Sequence, residues 1–181
     1  MRNIFLITGE PRVGKSTLVK NLISRFNQEY FYGLITEEVT ENSQRIGFTT
    51  VLLSRYAKQI ASKHWAENKM GNYGVDIAAI DQIAQDLLHM ESVFGKHILI
   101  IDEIGPMQVL SDEYGKIVEA LLESSSALII GTIYKGTDNK IINAVKDKYS
   151  DCIHLLIRDN REHIEVFLTA EIEKYLKLNI A

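Results

Sequence analysis

The sequence has little cysteine, little proline and no long hydrophobic segment. Its single cysteine excludes an intramolecular disulfide, and because Cys152 lies in the apolar run Cys152–Ile157 we expect a buried thiol. Two prolines leave no proline-rich linker, so we expect one domain over residues 1–181. The longest apolar runs, such as Ile98–Ile101 and Ala127–Ile130, have four residues. A membrane helix needs roughly twenty, so we expect no membrane span.

The sequence also lacks an excess of positive charge. Twenty lysines and arginines against 24 aspartates and glutamates give a net charge of −4, and the basic residues form no cluster. This charge argues against nucleic acid as the main partner. The N-terminal run Ile4–Ile7 is too short for the core of a signal peptide, so we expect a cytoplasmic protein.

Apolar segments of two kinds alternate along the chain. Short continuous runs predict strands buried on both faces of a sheet, and apolar residues three and four positions apart predict helices. The predicted strands are 3–8, 97–102, 127–132 and 152–157, and the predicted helices begin near residues 15, 76, 112, 139 and 160. In the second helix we expect the apolar stripe from Ile77 to Leu88 to face the core. This alternation predicts an α/β fold with a mostly parallel sheet.

Two further segments, rich in β-branched residues, follow the first helix. Gly33–Val39 and Ile46–Leu53 flank the polar segment Thr40–Arg45, and this order predicts a β-hairpin. The next segment, Ser54–Gly71, is polar and predicts one short strand and an exposed loop. We therefore expect a three-layer α/β sandwich with a hairpin after its first helix.

A glycine-rich segment follows the first predicted strand. The P-loop pattern GxxxxGK[ST] is matched by Gly9, Glu10, Pro11, Arg12, Val13, Gly14, Lys15 and Ser16, and Thr17 continues into the helix. Backbone N–H groups in such a loop, together with the helix N-terminus, attract phosphates. We expect Gly14 to permit close approach of the backbone, Lys15 to reach the β- and γ-phosphates, and Ser16 to ligate Mg²⁺. The predicted ligand is a nucleoside triphosphate with Mg²⁺.

Acidic and hydroxyl side chains end two of the predicted strands. Asp102 and Glu103 follow the run Ile98–Ile101, and Thr132 ends the next strand. We expect Asp102 to hold Mg²⁺ opposite Ser16, and Glu103 to orient or deprotonate the attacking water. Thr132 either hydrogen-bonds that water or the γ-phosphate, or simply ends its strand.

Arginines are candidates for a catalytic role because a guanidinium stabilises the charge that develops during phosphoryl transfer. The candidates are Arg12, Arg45, Arg55, Arg158 and Arg161. Arg45, where the hairpin turn enters its second strand, is the main candidate. The alternative is a surface ion pair between Arg45 and Glu37 or Glu41 across the hairpin.

These motifs together resemble the small P-loop nucleoside triphosphatases of thermophiles, known in animals as cancer-related nucleoside triphosphatase. The elements that match, in chain order, are Gly9–Thr17, Thr36–Val39 with Arg45–Phe48, Tyr73–Asp76, Asp102–Met107 and Asn160–Arg161. The resemblance covers nearly the whole chain. The P-loop is generic, whereas the second and fourth elements are specific.

The resemblance implies slow hydrolysis of ATP, GTP and other triphosphates to diphosphates, with little base selectivity. It also implies a core sheet order similar to that of RecA and AAA+ ATPases, and it places Asn160 and Arg161 beside the base. Two positions depart from the family pattern. Arg12 stands where such loops often have glycine, so a positive φ there would impose strain. Asn72 stands where a basic residue is common, and both departures bear on turnover rather than binding.

Two other functions also fit a P-loop protein. A nucleotide or small-molecule kinase usually carries an arginine-rich lid, whereas the seven arginines of this chain are scattered. A nucleotide-gated switch or assembly ATPase would hydrolyse its nucleotide slowly to reset a protein partner. The leading hypothesis is an Mg²⁺-dependent hydrolase, expected to be a monomer or a weak oligomer. The sequence identifies no protein partner.

Overall fold

The computed structural model describes residues 3–94 and 97–179. The strands are β1 (Ile4–Thr8), β2 (Phe31–Glu41), β3 (Gln44–Leu52), β4 (Tyr56–Ser62), β5 (Gly74–Val75), β6 (Ile98–Ile104), β7 (Leu128–Ile133) and β8 (Ile153–Leu155). The helices are α1 (Lys15–Ser24), α2 (Ile77–Phe94), α3 (Asp112–Ser124), α4 (Lys140–Lys148) and α5 (Arg161–Asn179). No helix within the described ranges is long and apolar enough to cross a membrane.

All eight strands form one sheet, in the order β5-β4-β3-β2-β6-β7-β1-β8. Strands β2, β6, β7, β1 and β8 are parallel, whereas β3, β4 and β5 extend the sheet with antiparallel pairs. Strand β7 lies between β1 and β6, as the RecA-like core order requires. The predicted fold class is confirmed, and this order brings the ends of β1, β6 and β7 to the same edge of the sheet.

Helices cover both faces of the sheet because consecutive strand residues point to opposite sides. On one face Ile100 packs in a buried cluster with Leu22 of α1 and Leu168 of α5. On the other face Leu99 packs in a second cluster with Ile83 of α2, and residues of α3 and α4 belong to that cluster. The result is the three-layer arrangement that the alternating pattern predicts.

The hairpin after α1 has a tighter turn than the sequence suggests. Strand β2 continues to Glu41 and β3 begins at Gln44, so Thr40–Arg45 is wrong as the extent of the turn. Asn42 and Ser43 alone reverse the chain, with φ of 48° and 62°. Positive φ at both central residues is the requirement for a two-residue turn that matches strand twist, and asparagine tolerates it. The polar residues between the two strands indicated that a turn was present, but they did not indicate how many residues it contains.

The last strand is shorter and more exposed than predicted. Only Ile153–Leu155 pairs with β1, and Leu155 and Ile157 are 51% and 46% exposed. Cys152 lies in a 3₁₀ turn before the strand and is half-buried, so the expected buried thiol is wrong. The physical reason is that β8 is an edge strand with a neighbour on one side only, which a continuous apolar run does not reveal.

One residue of the predicted apolar stripe on α2 faces outward. Leu88 is 42% exposed, whereas Ile80, Ile83 and Leu87 of the same helix are buried. Successive helix residues are rotated by about 100°, so Leu88 lies off the stripe that Leu87 continues. The helix itself begins where predicted, with the Asp76 carboxylate accepting a hydrogen bond from the Ala79 N–H at 2.9 Å.

A stability prediction follows from the close approach of β2 to β6 at Gly33. Its φ is +120°, and a Cβ there would overlap the carbonyl oxygen of Ile100. We expect Gly33→Ala to lower the free energy of unfolding by about 2–5 kcal/mol, combining backbone strain with overpacking. Urea unfolding measures this loss. The control is Gly71→Ala, where φ is +58° but no atom lies within 4 Å. A Gly33→Ala loss no larger than the control's would contradict the packing argument.

Candidate active site

The P-loop connects the end of β1 to the start of α1. Gly9–Gly14 follow Thr8, which ends the strand, and Lys15–Thr17 form the first turn of the helix. Gly14 has φ of +102° and immediately precedes the helix. A Cβ on Gly14 would lie 2.6 Å from an Nη atom of Arg161. The backbone conformation therefore favours glycine at this position, and a side chain there would displace the Arg161 guanidinium.

The Lys15 ammonium folds back onto the start of the loop. Its Nζ donates to the carbonyl oxygens of Gly9 at 2.9 Å and Glu10 at 3.3 Å. These carbonyls are weaker partners for a cation than phosphate oxygens, since charge-assisted hydrogen bonds are the stronger kind. The Lys15 side chain is thus held at the loop by contacts that a triphosphate can replace.

Asp102 is the most deeply buried charged group of the site. It has no exposed surface, and its Oδ1 accepts hydrogen bonds from Ser16 Oγ at 3.1 Å and Thr132 Oγ1 at 2.5 Å. Burial raises the pKa of Asp102, while the bonds from Thr132 and Ser16 act in the opposite direction. The other oxygen, Oδ2, is buried without a partner. An orphaned carboxylate oxygen beside a serine hydroxyl is a donor set that suits Mg²⁺.

Glu103 follows Asp102 and is half-buried. Burial raises the pKa of the Glu103 carboxyl, the Asp102 charge raises it further, and Lys15 opposes both. The backbone is held by Tyr114, whose hydroxyl donates to the Glu103 carbonyl at 2.9 Å. The peptide between Asp102 and Glu103 is cis. A side chain at Gly105 would overlap the Glu103 carboxylate, so this glycine leaves the space that the carboxylate occupies.

The start of α5 contacts the P-loop. Arg161 donates from Nη2 to the carbonyl oxygen of Val13, and its Nε is buried without a partner. Asn160 instead shapes the preceding turn, accepting from the Ile157 N–H at 2.9 Å and donating to the Leu155 carbonyl at 2.8 Å. Of the pair predicted beside the base, Arg161 therefore touches the phosphate loop and Asn160 holds the backbone next to it.

Arg45 makes its contacts on the hairpin. Its guanidinium donates to Glu38 at 2.7 Å and to the Tyr73 hydroxyl at 3.0 Å, and it lies 5.0 Å from the centre of the Phe48 ring. The alternative partners named from the sequence, Glu37 and Glu41, are therefore wrong. Neighbouring residues in a strand point to opposite faces of the sheet. Glu38 pairs with Phe48 across the two strands and therefore lies on the face that Arg45 contacts, whereas its neighbour Glu37 points to the other face.

Two ion pairs around the loop were not predicted. Glu10 pairs with Lys135 at 2.5 Å, and this hydrogen bond lowers the pKa of the Glu10 carboxyl. Lys20 on α1 pairs with Glu37 on β2 at 2.6 Å. Both pairs join residues far apart in the sequence and both are exposed, so nothing in the local pattern indicates them. The hydrogen bond from Tyr114 to the Glu103 carbonyl was likewise not predicted, because the sequence pattern places Tyr114 on the apolar stripe of a helix.

Metal ligation by protein side chains alone has no support in the described part of the chain. Residues 3–94 and 97–179 contain no group of three or more histidine, cysteine or acidic side chains that could hold a metal. A site with one carboxylate and one hydroxyl suits a magnesium ion that arrives with phosphate oxygens and water.

Known proteins with the same architecture identify the family. The sequence profile of the NTPase family matches residues 4–168. The nucleoside-triphosphatase THEP1 of Thermotoga maritima is 34% identical over 176 residues, which are 96% of this chain and 95% of that protein. The chain belongs to the NTPase family.

Other members of the NTPase family agree in sequence and in structure. The human cancer-related nucleoside-triphosphatase is 29% identical over 90% of this chain and 92% of its own. The crystal structure of THEP1 from the hyperthermophile Aquifex aeolicus superposes with a TM-score of 0.81 and 28% identity, covering 93% of this chain and 98% of that chain. The agreement therefore extends over nearly the whole of this chain.

The contacts of Arg45 generate a prediction that separates its two possible roles. Arg45→Ala removes an ion pair, a hydrogen bond and a cation–π contact, so we expect it to destabilise the protein by about 1–2 kcal/mol. We expect kcat to be unchanged, because these partners all lie on or beside the hairpin. Tyr73→Phe, which removes only the hydroxyl partner, is the milder control. A fall in kcat with unchanged nucleotide affinity would instead assign Arg45 to the transition state.

Proposed function

We propose that this protein hydrolyses nucleoside triphosphates to the diphosphate and phosphate, using Mg²⁺ and showing little preference for the base. The observation that carries the proposal is the environment of Asp102. One of its oxygens is bonded to Ser16 and Thr132, and the other is buried without a partner beside the P-loop. Burying a carboxylate with an unsatisfied oxygen is costly unless a cation completes the site.

Ser16 and Asp102 would hold the magnesium ion, which supplies positive charge to the phosphate oxygens when it is bound. Thr132 keeps the Asp102 carboxylate in one orientation by donating to the oxygen that also accepts from Ser16. This is a positioning role for Thr132, and it differs from both roles considered from the sequence.

The P-loop would hold the triphosphate. The first hydrogen bond of α1 is donated by the Leu18 N–H to the Gly14 carbonyl, so the N–H groups that precede it in the helix would face phosphate oxygens, and the α1 dipole favours negative charge there. Lys15 would exchange the carbonyls of Gly9 and Glu10 for the β- and γ-phosphates. Because negative charge develops on the bridging oxygen as its bond to the γ-phosphorus breaks, the contact with Lys15 would strengthen in the transition state and assist cleavage.

Glu103 would accept the proton of the attacking water. Burial and the adjacent Asp102 raise the pKa of Glu103, and a carboxylate with a raised pKa is a stronger base. The water oxygen then bonds to the γ-phosphorus, and the bond from that phosphorus to the bridging oxygen breaks, leaving the diphosphate. The Tyr114 hydrogen bond to the Glu103 carbonyl fixes the backbone from which the carboxylate extends.

Hydrolysis of nucleoside triphosphates is supported by the names of the relatives. The proteins from Thermotoga maritima and from humans are both called nucleoside-triphosphatases. These relatives align over nearly the whole length of the chain, so the proposal applies to the complete fold rather than to a shared P-loop alone.

Phosphate release tests this proposal. We expect the protein to release phosphate from ATP, GTP, CTP and UTP with Mg²⁺ and no phosphoacceptor present. Glu103→Gln keeps the shape of the side chain but removes its basicity, so we expect kcat to fall at least ~10²-fold. Nucleotide affinity, measured by calorimetry, should be retained.

The matched control is Glu119→Gln, an exposed carboxylate on α3 whose loss should leave turnover unchanged. Release that appears only when a nucleotide or small-molecule acceptor is added would replace the hydrolase with a kinase. Normal turnover in Glu103→Gln would remove Glu103 from the mechanism and leave hydrolysis itself intact.

A further inference from the structure

A pocket of about 370 Å³ lies on the outer side of the P-loop. One wall is the loop itself, residues Glu10–Val13, and the opposite wall is the turn after β8, Leu155–Arg158, with Lys135 at the side. Its volume is within the range of small-molecule sites. The pocket shares the P-loop with the phosphate cradle, so a group attached to bound phosphates can reach it.

The wall formed by the turn after β8 presents two aliphatic side chains, with the exposed Arg158 at its end. Leu155 and Ile157 are 51% and 46% exposed, although they border a loop that binds polar phosphates. The Asn160 side chain bonds to the backbone of both residues, so the wall is held in one conformation. A rigid aliphatic surface in this place offers a planar apolar ligand a favourable contact.

The wall formed by the P-loop carries an unusual arginine. Arg12 has φ of +63°, a left-handed conformation that non-glycine residues adopt at a cost. Its side chain is exposed and makes no hydrogen bond or ion pair within residues 3–94 and 97–179. Of the other charged groups near the loop, Glu10 pairs with Lys135 and Arg161 donates to Val13, whereas Arg158 on the opposite wall is exposed. The Arg12 guanidinium is thus available to a ligand, at a position where glycine would be less strained.

We propose that the base of the nucleotide occupies this pocket, stacked between the Arg12 guanidinium and the aliphatic side chains of Leu155 and Ile157. A guanidinium is planar and cationic, and it stacks on the π-face that every base presents. Stacking of this kind tolerates all bases, in contrast to hydrogen bonds that read a base edge. The inference rests on the proposed function and names a residue of this chain that would contact the base whichever base is bound.

Calorimetric titration of ADP and pyrophosphate with Mg²⁺ tests the inference, because the two ligands share a diphosphate and only one carries a base. We expect Arg12→Gly to weaken ADP binding by roughly 3- to 30-fold, the range of a cation–π contact. GDP should show a similar loss. The loss should be confined to ligands with a base. Because glycine relieves the strain, this variant should melt at the wild-type temperature or above.

Two further variants complete the design. Arg12→Lys keeps the charge but loses the planar stacking group, so it should lose most of the ADP affinity that Arg12→Gly loses. Arg55→Ala, at an exposed arginine in the turn between β3 and β4, is the matched control and should leave ADP affinity unchanged.

The outcomes are distinguishable. Equal losses for ADP and pyrophosphate in Arg12→Gly, with Arg12→Lys restoring both, would place Arg12 on the phosphates and overturn the stacking proposal. Unchanged ADP affinity in Arg12→Gly would overturn it as well. Either result leaves the proposed hydrolysis standing. A wild-type protein that binds ADP no more tightly than pyrophosphate would overturn the base site, whereas a failure to release phosphate from any triphosphate would defeat the proposed function itself.

Discussion

The site depends on one buried carboxylate. Asp102 joins three elements, because Ser16 belongs to α1, Thr132 to β7 and Asp102 itself to β6. A charge without exposed surface is expensive, and in this case only one of its two oxygens is bonded. The protein therefore carries a local instability that a cation would relieve. The same bonds fix Ser16 at the start of α1, and so they tie the P-loop to the acidic strand.

The order of the sheet makes this junction possible. Strand β7 lies between β1 and β6, so the Thr132 hydroxyl reaches Asp102 from the neighbouring strand while the P-loop approaches from β1. Burial of both sheet faces by helices excludes water from the carboxylate, which raises the pKa of Asp102 and of Glu103. The hydrophobic layers thus set the electrostatics of the residues at the edge of the sheet.

The sequence predicts much of this arrangement because the P-loop and the acidic strand end are local patterns. The order of the strands could be predicted only from the resemblance to a known family, and the similarity to the THEP1 crystal structure is consistent with that prediction. Properties that depend on tertiary neighbours could not be read from the sequence. An apolar run does not say that β8 is an edge strand, so the exposure of Leu155 and Ile157 was missed. Thr132 was recognised as a polar strand end, but its partner, Asp102, lies 30 residues away.

The arginines illustrate the same limit. Arg45 was assigned possible partners on the wrong face of the hairpin, because the register and the two-residue turn at Asn42 and Ser43 decide which side chain it meets. For Arg12 the sequence raised the question whether its backbone adopts a positive φ, and the structure shows that it does. A sequence shows which side chains are present. The face of the sheet on which a side chain lies, and the backbone conformation of its residue, are properties of the fold.

Manganese binding, followed by electron paramagnetic resonance in the presence of ADP, tests the role of Asp102 most directly. Asp102→Asn keeps the shape of the side chain and removes the buried charge. The account predicts that Mn²⁺ affinity falls at least about tenfold, as is typical when a metal site loses a supporting group. It also predicts an unchanged or higher melting temperature, because an uncompensated buried charge has been removed. Wild-type Mn²⁺ affinity in Asp102→Asn would contradict the account.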